Sequence, residues 1–127
     1  YSVPVEQAVL AQLAESIERC EQAGIERSRL IVDPGFGFGK NNQHDYRLLN
    51  RLETLQTLKL PILTGLSRKR MIGAATQQEN AADRIIGSVS AAVICALKGA
   101  RIIRVHDVKA TVEAMQVVSA TFKESNV

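Results

Sequence analysis

Three short apolar runs, at residues 30–32, 60–64 and 102–105, are separated by stretches long enough for full helices. That alternation limits the fold more than any other feature. Strands joined through helices run parallel, by right-handed crossovers. The pattern predicts the order αβαβαβα. The first helix spans about 3–23, with Pro4 in its first turn behind a possible Ser2 cap. It carries Val9, Leu13, Ile17 and Cys20 on one face and stops at Gly24. A second helix spans about 43–58, with Leu48, Leu52 and Leu55 inward. A loop over 65–78 leads to a third helix, about 79–98, and Asp107 caps a last helix bearing Val108, Val112, Met115 and Phe122 on one side.

Two architectures use this unit, an open doubly wound sheet and a closed eight-stranded barrel. Three strands cannot close a barrel, which typically needs about 250 residues. With 127 residues and no linker, the chain reads as a single segment: a small open α/β domain or the C-terminal part of a barrel. It begins at Tyr1 without Met, so more chain is expected before it. Apolar residues at 46% and charged residues at 23% exclude collagen-like and strongly disordered classes. A net charge of +3, with no basic run interleaved with aromatics, argues against nucleic acid. No apolar run reaches the roughly 18 residues of a membrane span, and no secretory signal opens the chain. Cys20 and Cys95 read as small buried residues in a reducing cytosol rather than a disulfide.

In both architectures ligands bind at the carboxyl ends of the strands. Three polar segments fall there. In Asp33-Pro34-Gly35-Phe36-Gly37-Phe38-Gly39-Lys40, alternate glycines permit φ above zero and close backbone approach. The two aromatics offer flat surfaces for a ring. An Asp at a buried strand end wants adjacent N–H donors, such as an aminopyrimidinone edge; the alternative is an Asp capping local amides. In Ser67-Arg68-Lys69-Arg70, three consecutive cations want an anion or open solvent. Ser67 and Lys69 point alike if the chain is still extended there. In the third, alternation puts Ile102, Arg104 and His106 on one face, with Ile103 and Val105 under the helices. Arg beside His at a rim can clamp a phosphate, or the Arg can be structural and paired with an acid. His44 reads as a cap or surface residue. Gly87, Ser88, Ser90, Ala91 and Ala92 make a small-sided helix that allows close approach to the sheet or another subunit. No Cys or His pair stands at metal-ligand spacing.

These segments in this order resemble the C-terminal part of the dihydropteroate synthases, over nearly the whole chain. The resemblance rests on D-P-G-F-G-F-G-K from Asp33, G-L-S-R-K-R from Gly65 and I-R-V-H-D-V from Ile103. It implies the C-terminal portion of a (βα)8 barrel, with three parallel strands and four main helices here. It also implies the reaction: p-aminobenzoate displaces diphosphate from 6-hydroxymethyl-7,8-dihydropterin diphosphate, giving 7,8-dihydropteroate for folate. Asp33, Phe38, Gly65, Lys69 and Arg104 would face the pterin. Phe38, Ser67, Arg68 and Lys69 would form the p-aminobenzoate and sulfonamide slot. Arg104 and His106 would bind the leaving diphosphate. Mg²⁺ would be held through the diphosphate and residues of earlier strands, with no metal ligand in this segment. A cytoplasmic homodimer completed by the N-terminal half of the barrel is the implied assembly. Two other readings stay open, a methyltetrahydrofolate-corrinoid methyltransferase barrel and a non-catalytic anion-binding α/β module.

Overall fold

The computed structural model describes residues 1–124. Helix α1 (Val5–Gln22) begins at Pro4, whose carbonyl takes the first amide bonds from Gln7 and Ala8. Pro4 is therefore the cap residue, and Ser2 takes no part. The chain leaves α1 through Ala23 and Gly24, the latter at φ +92°. Val9 and Ile17 are buried, as the helical spacing requires.

The expected strand at 30–32 is reduced to one parallel bridge between Val32 and Ile62. Val32 donates to the Pro61 carbonyl, and Leu63 donates to the Val32 carbonyl. In a parallel ladder the adjoining bonds would come from the amides at 34 and 61. Both residues are proline, so the ladder has no donor on either side. The named sheet therefore holds two parallel strands, β1 (Ile62–Thr64) and β2 (Ala100–Ile103), paired through Leu63↔Ile102 and Thr64↔Ile103. β2 starts two residues earlier than its apolar run suggests, directly after Gly99.

The helix expected over 43–58 is two elements. Helix α2 (Asn42–Asn50) gives way to a 3-10 helix (Leu52–Leu58). Leu52, Leu55 and Leu58 recur every third residue, which matches three residues per turn and keeps all three buried. Asn41 and His44 form a reciprocal capping box at the start of α2, so His44 is a cap residue. The loop after β1 contains a helix that the pattern did not reveal, α3 (Arg70–Thr76). The next expected helix starts late, as α4 (Ile85–Leu97) behind a 3-10 turn (Ala81–Asp83). Its small residues do allow close approach, to α3: a Cβ at Gly87 would meet Ile72 and Thr76. The last helix, α5 (Val108–Phe122), packs on α4. Its expected inward stripe is only partly covered. Met115 is half-buried, while Val108, Val112 and Phe122 are exposed, because the sheet ends at β2 and offers this face no further strand.

One core joins these pieces, with Phe36, Leu48, Leu52, Leu55, Ile62 and Met71 almost fully buried. The opposite face of the sheet is open, with Ile31 and Ile102 exposed. No helix among the described residues is long and apolar enough to cross a membrane, and both cysteines are unpaired.

Candidate active site

The carboxyl ends of the strands gather the polar groups. After Val32 the chain enters a loop in which Gly35, Gly37 and Gly39 all take positive φ, between +64° and +83°. Side chains are disfavoured in that region, so glycine is what lets the loop fold this tightly. Three polar side chains pin it. Asp33 Oδ1 accepts the Gly35 N–H at 2.9 Å, and Asp45 Oδ1 accepts the Gly37 N–H at 2.9 Å. Lys40 Nζ donates to the Gly35 and Phe38 carbonyls. Asp33 is exposed rather than buried, and its amide-capping contact occupies one oxygen only. The two aromatics part company: Phe36 belongs to the core, while Phe38 is 71% exposed and presents its ring.

Lys69 reaches this loop from the turn after β1. Its Nζ donates to the Phe36 carbonyl at 2.7 Å and lies 5.2 Å from the Phe38 ring centroid, within cation–π range. Burial pushes its pKa down and Arg104 adds to that, while Asp33 and Asp45 oppose it. The four charges thus share one field at one end of the sheet. The Arg104 guanidinium lies over Gly65; a Cβ there would come within 2.6 Å of Nη2, so glycine is required for this seat. A cleft of about 270 Å³ is lined by Phe38, Lys40, Asp45, Lys69 and Arg70.

Ser67 and Lys69 do not point alike. Arg68 stands at φ +59° in a turn closed by the Lys69 N–H and Leu66 carbonyl, so the chain reverses between them. Ser67 is buried and turned to His106. It accepts the His106 backbone N–H at 3.1 Å, and its hydroxyl is 2.8 Å from Nδ1. Arg68 turns away as well, making a two-pronged ion pair with Asp107 at 2.8 and 3.2 Å. That pair holds the Asp107 carboxyl below its usual range. Asp107 starts α5 without a side-chain cap, its carboxylate turned to Arg68 instead. The structure thus gathers Asp33, Phe38, Gly65, Lys69 and Arg104, joins Ser67 to His106, and pairs Arg68 with Asp107. Sequence reasoning missed Asp45 and Lys40 as loop pins. An acid on the first turn of the helix after a glycine loop was the available signal.

The chain is a member of the pterin-binding enzyme family, which matches residues 1–106. Within it, the relatives are dihydropteroate synthases. The Escherichia coli (strain K12) protein is 57% identical over 107 residues, covering 84% of this chain and 38% of that protein. The Haemophilus influenzae protein is 48% identical over 121 residues, covering 95% of this chain and 44% of that protein. Among solved structures, Yersinia pestis dihydropteroate synthase in a sulfonamide drug complex superposes with a TM-score of 0.94 at 48% identity, covering 98% of this chain and 45% of that one. The Xanthomonas albilineans enzyme in complex with 7,8-dihydropteroate gives 0.92 at 47%, covering 93% and 45%. The chain therefore matches part of the synthase barrel and spans less than half the length of these relatives.

Proposed function

We propose that the chain is the C-terminal part of a dihydropteroate synthase barrel, supplying its last three strand positions to one catalytic mouth. The observation that carries this reading is the seat of Lys69, between the Phe36 carbonyl and the Phe38 ring and in the field of Asp33 and Arg104. Asp33 keeps one carboxylate oxygen for the pterin's amino and ring N–H edge. Lys69 spans the two substrates, with its ammonium toward the pterin carbonyl and its stem along the aminobenzoate slot. Phe38 closes that slot, and Gly65 gives Arg104 room to lie along the pterin. Arg104 and His106 receive the leaving diphosphate.

In the reaction the C–O bond to diphosphate breaks and the aniline nitrogen forms a C–N bond to the pterin methylene, losing a proton. Cations at the diphosphate end offset the charge that develops on the leaving group. No nucleophilic side chain is needed. Within the segment, the site's carboxylates Asp33 and Asp45 each accept a loop amide. The family reading puts Mg²⁺ on diphosphate oxygens and earlier strands. A cytoplasmic homodimer sensitive to sulfonamides completes the proposal.

The test is to join this chain to the N-terminal part of the Escherichia coli relative and assay this completed protein. Diphosphate release that requires both substrates supports the proposal. A soluble, folded hybrid that hydrolyses or ignores the ester regardless of p-aminobenzoate contradicts it.

A further inference from the structure

The Ser67–Lys69 turn is strained, and the groups that hold it lie outside the proposed substrate contacts. Arg68 carries a long side chain at φ +59°, a region where non-glycine residues are uncommon. Both of its backbone polar groups are tied to the start of α4. Its N–H donates to Ser88 Oγ at 2.8 Å, and its carbonyl accepts from Arg84 Nη1 at 2.9 Å. Ser88 in turn donates to the Arg84 carbonyl. The other two arms of the Arg84 guanidinium reach the Gln78 and Glu79 carbonyls, both at 2.8 Å. The guanidinium lies flat on α3, where a Cβ at Gly73 would collide with it. No carboxylate pairs with Arg84 among the described residues. All its directed bonds go to backbone carbonyls, and they leave from three different nitrogens of one planar fork, Nε, Nη1 and Nη2.

We propose that Arg84 is a positioning residue: its guanidinium locks the left-handed turn at Arg68 and thereby aims Lys69 across the substrate cleft. This rests on the synthase reading only for what Lys69 does once aimed. A lysine at 84 keeps the charge but gathers its donors on one nitrogen, which does not match carbonyls spread around a guanidinium, so charge alone does not rescue the function.

The experiment uses the completed protein with Arg84→Lys, Lys69→Ala and the double variant. Arg84→Lys is expected to lower kcat/KM for both substrates tenfold or more. The double variant is expected to be no worse than Lys69→Ala alone, within twofold, because residues acting through one group are not additive. Losses that simply multiply, or an Arg84→Lys variant with parental kinetics, overturn the proposal. Hydrogen exchange gives a readout independent of activity: the amides of Arg68 and Lys69 should exchange at least tenfold faster in Arg84→Lys, with that of Leu63 unchanged. Unaltered exchange at 68 and 69 also overturns it. Should Arg84→Lys fail to fold, Ser88→Ala removes the acceptor of the Arg68 amide and must give the same selective exchange. If the parental hybrid makes no dihydropteroate, the proposed function fails, and exchange decides the role of Arg84 on its own.

Discussion

The Ser67 hydroxyl stands 2.8 Å from Nδ1 of His106 and accepts the same residue's backbone N–H at 3.1 Å. A hydroxyl has two acceptor lone pairs and one proton, so Ser67 engages Nδ1 while it also accepts the amide. With Nδ1 engaged, Nε2 is the ring nitrogen left for a ligand. Ser67 thus ties both the backbone and the ring of His106 and fixes which nitrogen is left to meet an anion.

Ser67→Ala should therefore raise KM for the dihydropterin diphosphate several-fold and leave KM for p-aminobenzoate unchanged. Steady-state kinetics with each substrate varied in turn checks this. The reverse pattern would place Ser67 on the aminobenzoate carboxylate instead.

Lys69→Ala is expected to weaken both substrates and to cut turnover strongly, since one ammonium serves both sides of the cleft. The pH dependence adds a sharper test. Binding that needs the ammonium is present below its pKa and is lost as pH rises through it. Burial and Arg104 hold that pKa below the ordinary lysine value of about 10.4, so the alkaline loss of kcat/KM should begin below that point. An alkaline limb at or above the ordinary value would contradict the seat assigned to Lys69.

Asp33→Asn should cost mainly pterin binding, by about 1–3 kcal/mol, the usual cost of mispairing a hydrogen-bonding group that a ligand covers. Calorimetric titration with the pterin substrate alone measures it. A selective loss of p-aminobenzoate binding would count against the role.

Away from the site, the Arg47 fork grips the buried Glu6 carboxylate with both bonds at 2.9 Å. That ion pair lowers the Glu6 pKa. A depressed acid stabilises the fold above its unfolded pKa, near 4.3, and the contribution is lost as pH falls through the folded value. Glu6→Gln should therefore lower Tm at neutral pH, with the gap from the parent closing below about pH 4.3. A gap that persists at lower pH would show that the pair is not its source.

Much of this was readable in the chain itself. The alternation of apolar runs and helices fixed a parallel α/β arrangement, and it placed Asp33, Lys69 and Arg104 at one end because strand ends collect loops. What stayed hidden was set by single backbone positions. Pro34 and Pro61 cut the first ladder to one bridge, which an apolar Leu30-Ile31-Val32 does not announce. The left-handed Arg68 reversed the chain between Ser67 and Lys69; no residue type there signals it, since glycine is the usual occupant. The mostly exposed stripe of α5 carries the periodicity of a buried one, because amphipathic spacing marks a face and not its partner.

A crystal structure of the completed protein with 7,8-dihydropteroate bound decides where the product lies. The pterin should sit between Asp33, Lys69 and Arg104, with the aminobenzoyl ring against Phe38. Product bound instead at the opposite end of the sheet, in the cleft of about 470 Å³ beside Gln56, Lys59 and Arg101, would overturn the proposed function.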